Sequence, residues 1–156
     1  MINEINKAGQ NLTKVPPRSP KVIIGGFAML GRTIDKCRAE LWGNRGEYHF
    51  NCPLDQSLFA FKDINHEEFK QYVSEGHTDD EIGEWMKNHG KEKADGEISQ
   101  WTQSRLTENY SGDKDKKAWL EGENKRLGLH KDGTLFDYLE ADDKLSFPSI
   151  TINLIA

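Results

Sequence analysis

The chain has 156 residues, enough for one domain with a sizeable hydrophobic core. Its net charge is −5, and its four Trp, four Tyr and seven Phe argue against a disordered chain, because aromatic rings bury large areas on folding. Residues 1–10 lack the apolar run of a secretory signal, and no stretch approaches the roughly 20 apolar residues of a membrane span. With only two cysteines, we expect a cytoplasmic protein with reduced thiols and no membrane association.

The charge is distributed unevenly along the chain. Residues 1–39 carry a net charge of +5 and the remaining residues carry −10. One interpretation is a basic face that attracts an anionic ligand. The other, which we favour, is that the basic third pairs with the acidic remainder inside one fold. Because no concentrated basic stripe is present, we expect no nucleic-acid partner.

The chain begins with an irregular arm over residues 1–20, because three prolines between positions 16 and 20 exclude a helix. We assign this arm and the helical remainder, residues 21–156, to a single domain. A first helix is predicted over residues 27–42, with Gly43 as its C-terminal glycine. Its apolar stripe has the spacing of one helix face and consists of Leu30, Ile34, Cys37 and Leu41.

Signals for further helices follow in order. After a short extended segment over residues 47–50, Pro53 suits the first position of a second helix. The next three helices are predicted from N-terminal caps, which are the capping-box pairs Asn65 with Glu68 and Thr78 with Glu81, and then Asp95.

The last third of the chain adds a charged helix over residues 113–127 and a short helix around residues 135–139. Residues 150–154 then alternate between apolar and polar, as a strand or an extended docked arm does. The predicted fold class is therefore mainly α, with six or seven helices and at most two short strands.

The run from Tyr48 to Gln56 concentrates aromatic, thiol, proline and carboxylate side chains in nine residues. If Pro53 opens a helix, Cys52 is its N-cap, where the helix dipole favours a thiolate. Because Asp55 opposes a thiolate, we prefer a structural cap in which Asp55 binds first-turn amides. The alternative is an enzyme that uses Cys52 as a nucleophile or Asp55 as an acid or base. No residue is assigned as catalytic.

Four cationic side chains in the first third are candidates for binding an anion. Arg32, Lys36 and Arg38 lie on the first helix, and the proline-rich loop displays Arg18 on a stiff backbone. A solvated helix face with one ion pair is the alternative for the helix. For Arg18, the alternative is a buried ion pair that pins the arm to the domain.

Other motifs are weak. The histidines and cysteines lack metal-ligand spacing, and the glycines do not form a nucleotide-binding loop, so we expect neither a metal nor a cofactor. Asp142 and Asp143 are interpreted as a solvated helix end. Trp85 and Trp101 occupy helical apolar positions and are assigned to the core rather than to a stacking surface.

Several ordered motifs resemble one family, including Leu12–Lys14, Pro16–Pro20, Gly25–Gly26, Asp35–Lys36, Arg38–Ala39, Gly46–Tyr48 and Asn51–Asp55. Weaker matches are Trp85, Trp101, Phe136–Asp137 and Ala141–Asp143. With these motifs the chain resembles the uncharacterised bacterial family called domain of unknown function 5069. Gly31 departs from the proline that we expect there in the family. The resemblance implies a small, stand-alone, mostly helical cytoplasmic protein, and it implies no reaction, cofactor or catalytic residue.

We therefore expect a domain that binds a small anionic molecule where the Arg18 loop, the first helix and the Tyr48–Asp55 turn converge. The candidate ligand-binding residues are Arg18, Arg32, Lys36, Arg38, Tyr48, Asn51, Cys52 and Asp55. One alternative is a protein-interaction or adaptor module that uses its acidic helices or its apolar tail, residues 147–155, with an unidentified partner. The enzyme is the second alternative.

Overall fold

A computed structural model describes residues 9–148 of the chain. Seven helices occur in this range: α1 (Leu30–Trp42), α2 (Pro53–Lys62), α3 (His66–Ser74), α4 (Asp79–Asn88), α5 (Asp95–Leu106), α6 (Lys114–Arg126) and α7 (Leu135–Ser146). Extended pairing among the described residues is limited to an isolated bridge between Ile24 and Phe27. The prediction of a mainly α single domain is confirmed.

Helix α1 lies at the centre of the fold, because ten of its 13 residues are buried and it packs against both α3 and α4. It begins at Leu30, three residues later than predicted, since Met29 has a left-handed φ of 72° that no helix can continue through. Gly43 ends it in the left-handed conformation that the sequence signal predicts.

The main core gathers around the apolar stripe of α1. Leu30, Ile34 and Cys37 are fully buried and pack with apolar side chains of α2, α3, α4 and α5. Three phenylalanine rings lie at the middle of this core. The Phe69 centroid is 5.9 Å from that of Phe50 and 5.1 Å from that of Phe59.

A smaller apolar cluster attaches the last helix. Phe136 of α7 packs with Ala28 and Met29 just before α1, and Trp101 of α5 covers them. Helix α6 packs on α7 and is mostly solvated, with Leu120 and Asn124 as its buried residues. The two helices therefore form a charged hairpin on one side of the central helix.

The predicted starts of α3, α4 and α5 are correct in position and differ in detail. Thr78 and Glu81 form the capping box that opens α4, with bonds of 3.2 and 2.9 Å. Asn65 caps α3 by accepting a bond from the amide of Glu67 rather than by pairing with Glu68. Asp95 is the first residue of α5, so it is not the cap.

Two further predictions differ from the structure. Residues 47–50 form no strand, because Glu47 and Phe50 lie in turns and Tyr48 and His49 are irregular. The last helix is longer than predicted, because a capping box between Thr134 and Asp137 opens it at Leu135 and it continues to Ser146. The alternating segment 150–154 lies outside the described residues. None of the described helices is both long enough and apolar enough to cross a membrane.

The ring cluster makes Phe69 a sensitive position. Replacing it in Phe69→Ala leaves a cavity among rings that cannot close it, so the free energy of unfolding should fall by about 3–5 kcal/mol. Urea unfolding followed by circular dichroism measures this loss. Trp42→Ala is the control, because this side chain is 58% exposed at the end of α1 and should change stability by less than about 0.5 kcal/mol. Equal losses in the two variants would contradict the assigned core.

Candidate functional site

Four of the five charged residues of α1 are buried, and the fifth, Glu40, is partly exposed. Arg32, Asp35, Lys36 and Arg38 are between 3% and 7% exposed, so the interpretation of a solvated helix face is wrong. A buried charge is tolerated only when it is paired and hydrogen-bonded. The partners of these side chains therefore define what this region does.

Arg18 joins the proline-rich loop to two helices. Its backbone amide, Nε and Nη2 donate to the carboxylate of Asp35 at 2.8, 3.1 and 3.0 Å. Its Nη1 donates to Asp79, the first residue of α4, at 2.7 Å. The guanidinium lies against α1 at Gly31, where an added Cβ would stand 3.4 Å from Nε. These contacts favour the interpretation in which Arg18 pins the arm by an ion pair.

Arg38 completes the same cluster from the next turn of α1. Its Nη1 donates to Asp79 at 3.0 Å and its Nη2 donates to the carbonyl of His77 at 3.0 Å. Burial alone would raise the pKa of Asp79, but hydrogen bonds from Arg18 and the positive charges of Arg18 and Arg38 hold that pKa below its ordinary value. Asp79 is therefore an ionised link between α1 and α4.

Arg32 forms a second cluster with α7. Two of its nitrogens donate to Asp143 at 2.7 and 3.2 Å, and Tyr48 donates to the same carboxylate at 2.8 Å. The guanidinium carbon lies 5.5 Å from the Tyr48 ring centroid. Asp143 is 6% exposed, so its assignment to a solvated helix end is wrong. Sequence alone missed it because its partner is more than 100 residues away.

Asp55 is the centre of a third cluster. Its carboxylate accepts bonds from Thr33 Oγ1 at 2.6 Å and from the Asn51 amide at 2.9 Å, and it pairs with Lys36 Nζ at 2.9 Å. Lys36 Nζ also lies 3.1 Å from the Sγ of Cys52, which occupies the predicted N-cap of α2. Asp55 thus binds the amides of Asn51 and Cys52, which precede the first turn of α2, and orders the turn where Asn51 has a left-handed φ of 63°.

The eight predicted residues gather around α1 as three neighbouring clusters. Each of the four cations has a carboxylate partner, so the paired groups sum to no net charge; the partners are Asp35, Asp55, Asp79 and Asp143. The pairing of these cations fits the interpretation that the basic third binds the acidic remainder. Within residues 9–148, no group of three or more His, Cys, Asp or Glu side chains could hold a metal ion.

A different surface carries acidic groups that have no such partners. A groove of about 560 Å³ lies between α3 and α4 and is lined by Glu67, Glu68, Gln71, Tyr72, Glu75, Trp85 and His89. We call it the acidic aromatic groove. In the part of the chain that the structure describes, no Lys or Arg nitrogen lies within ion-pair distance of its glutamates; Glu67 and Glu75 approach only His66 and His77.

Aromatic rings form a column beside these carboxylates. His77 stacks on Tyr72 at 3.7 Å between centroids, Tyr72 on Trp85 at 5.0 Å, and Trp85 on His89 at 4.3 Å. Trp85 is partly buried and lines the groove, so its assignment to the core alone is incomplete.

The sequence contains a signal for this surface in the spacing of its residues. Glu68, Tyr72 and Glu75 are spaced four and three residues apart, and Trp85 and His89 are four apart, which is the spacing of one helix face. In the structure Glu75 and His89 are the C-caps of α3 and α4. What the sequence could not show is that the two faces meet.

Comparison with protein families identifies the family of this chain. Residues 14–145 match the model of a domain of unknown function, DUF5069. The chain belongs to this family. The resemblance inferred from the ordered motifs is thereby confirmed, and the DUF5069 match includes the proline-rich loop, α1 and the Tyr48–Asp55 turn. No curated protein matches the chain at a significant level. Membership in DUF5069 assigns no activity.

The Arg32–Asp143 pair allows a test of whether the buried ion pairs stabilise the fold. Asp143→Ala leaves a buried guanidinium without its carboxylate, so the free energy of unfolding should fall by about 3–5 kcal/mol. Chemical unfolding measures the loss. Asp142→Ala is the matched control, because it removes the adjacent carboxylate of α7 and should cost less than about 1 kcal/mol. If Asp143→Ala is as stable as this control, the pair does not hold α7 in place.

The lowered pKa of Asp79 predicts how the stability of the fold changes in acid. Because its pKa is lowered in the folded state, it stabilises the fold above its unfolded pKa, and that contribution disappears as the pH falls through the folded pKa. The stability difference between the native protein and Asp79→Asn should therefore be largest at neutral pH and shrink steadily below about pH 4. Thermal unfolding between neutral and strongly acidic pH measures it. A difference that does not change with pH would contradict the assignment.

Proposed function

We propose that this chain is a protein-interaction module that binds a basic segment of a partner protein in the acidic aromatic groove. The observation that carries the proposal is the contrast between two sets of charges. The buried cations of α1 all have carboxylate partners, whereas the groove glutamates lack a Lys or Arg partner among the described residues. A cation from outside the chain would supply that missing partner.

The chemistry of the groove suits a lysine or arginine side chain. A long basic side chain has an apolar stem and a charged end. The stem can pack on Trp85 and Tyr72 while the charge reaches Glu68 or Glu75, all of which line the groove. Aromatic and acidic groups together favour a cation more than either group does alone, because ring electrons and carboxylates attract the same charge. The groove is open, so a peptide can lie across it.

Binding of a small anion at Arg18, Arg32, Lys36 and Arg38 stays a prediction. To bind there, an anion would have to displace an aspartate from a guanidinium or an ammonium that already has short bonds to it. The displaced carboxylate would then be buried without a partner, which is energetically costly. The ion pairs therefore weigh against this alternative.

The enzyme alternative also stays a prediction. Both oxygens of Asp55 are occupied, one by Thr33 and the other by Lys36 and the Asn51 amide. A general acid or base needs an oxygen that can reach a substrate proton. Cys52 is partly exposed, and the group beside its Sγ is the ammonium of Lys36, which is paired with Asp55 and therefore does not act as a base.

Fluorescence anisotropy with a labelled oligolysine peptide tests the proposed function. The native protein should bind oligolysine and not a labelled oligoglutamate peptide of equal length. The double variant Glu68→Gln/Glu75→Gln should bind between about twofold and thirtyfold more weakly, because an exposed ion pair contributes about 0.2–1 kcal/mol. Added salt should weaken binding further, since exposed charges are screened.

Glu47→Gln/Glu92→Gln is the matched control, because it also removes two negative charges and both glutamates are exposed and lie outside the groove. It should bind oligolysine nearly as well as the native protein does. Equal weakening in the control and in the groove variant would mean that only the overall negative charge attracts the peptide. That outcome, or no binding to the native protein, would rule out the groove as the site. Stabilisation by inorganic phosphate that is lost in Arg18→Ala would favour the anion site instead.

A further inference from the structure

A second groove runs along the outer side of α7. Its volume is about 950 Å³, and its apolar lining consists of Leu127, Leu129, Ala141, Leu145 and Pro148. Leu145 is 59% exposed, which is unusual for a large apolar side chain beside other apolar groups. We call this surface the α7 groove. It contains none of the residues of the acidic aromatic groove.

The residue that ends the described structure also lines this groove. Pro148 stands at the C-terminal end of α7, next to Leu145. The sequence that follows it, Ser149 to Ala156, has no charged residue, and its apolar side chains include Ile150, Ile152 and Leu154 at every second position. In extended backbone, side chains at every second position point to the same side.

The length of this segment suits the groove. From Asp137 to Leu145, which both line it, α7 rises about 12 Å at 1.5 Å per residue. Extended backbone from Ile150 to Leu154 covers about 13 Å at 3.3 Å per residue. The three apolar side chains are therefore spaced to follow the apolar lining along α7.

We propose that residues 149–156 dock in the α7 groove of the same chain and cover Leu145. No linker is needed, because the segment follows directly after Pro148, which already lines the groove. A directly attached segment has a high effective concentration, so modest apolar contacts are enough to hold it. The interaction is independent of the partner proposed for the acidic aromatic groove.

Proteolysis of the full chain tests the docking. Thermolysin cleaves beside exposed Ile and Leu, and mass spectrometry identifies the bonds that it cuts. Leu145→Glu places a charge in the apolar groove, so cleavage within residues 149–156 should become at least about tenfold faster than in the native protein. Because Leu145 is mostly exposed, the substitution should leave the fold intact, and circular dichroism checks this.

Trp42→Glu is the matched control, since it adds a charge at another exposed apolar side chain, 58% exposed, far along the sequence from α7. Its segment 149–156 should be cleaved at the native rate. Equal cleavage in the native protein and in Leu145→Glu would overturn the proposal. Size-exclusion chromatography identifies the remaining alternative. A native dimer that dissociates in Leu145→Glu would mean that a second copy fills the groove, which also overturns docking within one chain.

Discussion

The structure depends on the pairing of charges that α1 carries into the interior. A helix that is buried over most of its surface and still contains two arginines, a lysine and an aspartate requires an opposite charge for each. These charges come from the proline-rich loop, the start of α2, the start of α4 and the last turn of α7. The need to pair them fixes where these elements lie around α1.

Such pairs specify a fold more than they strengthen it. The cost of removing two charges from water nearly cancels their attraction, but an unpaired charge in the interior is strongly destabilising. Arg18 shows the consequence, because its contacts with Asp35 and Asp79 leave one position for the loop that carries it. The apolar core beside α1 supplies the favourable free energy of burial, and the ion pairs select one arrangement of the helices around it.

Ion pairing inside the fold also determines which charged groups remain available for binding. Arg18, Arg32, Lys36 and Arg38 are paired with carboxylates within the fold, whereas the glutamates of the acidic aromatic groove are exposed. In that groove the glutamates lie beside the stacked rings of Tyr72, Trp85 and neighbouring histidines, so the surface suits a cation with an apolar stem. The function that we propose therefore follows from the same constraint that organises the interior.

The sequence by itself determined the fold class, the positions of the helices and the family. Local rules act within a few residues, so Pro53, Thr78 and Gly43 marked helix ends correctly. The sequence also indicated that Arg18, Arg32 and Asp55 have a special role. The start of α1 lies three residues later than predicted, because the turn that ends at Met29 depends on contacts outside the helix.

Only the tertiary structure decided what these residues contact. Asp143 becomes the partner of Arg32 because the fold brings the last turn of α7 to α1, and no local spacing records a contact between positions so far apart. The acidic aromatic groove likewise requires the faces of α3 and α4 to meet. Helical periodicity indicates which side chains share a face, whereas the choice of the opposite face is made by burial and charge across the whole chain.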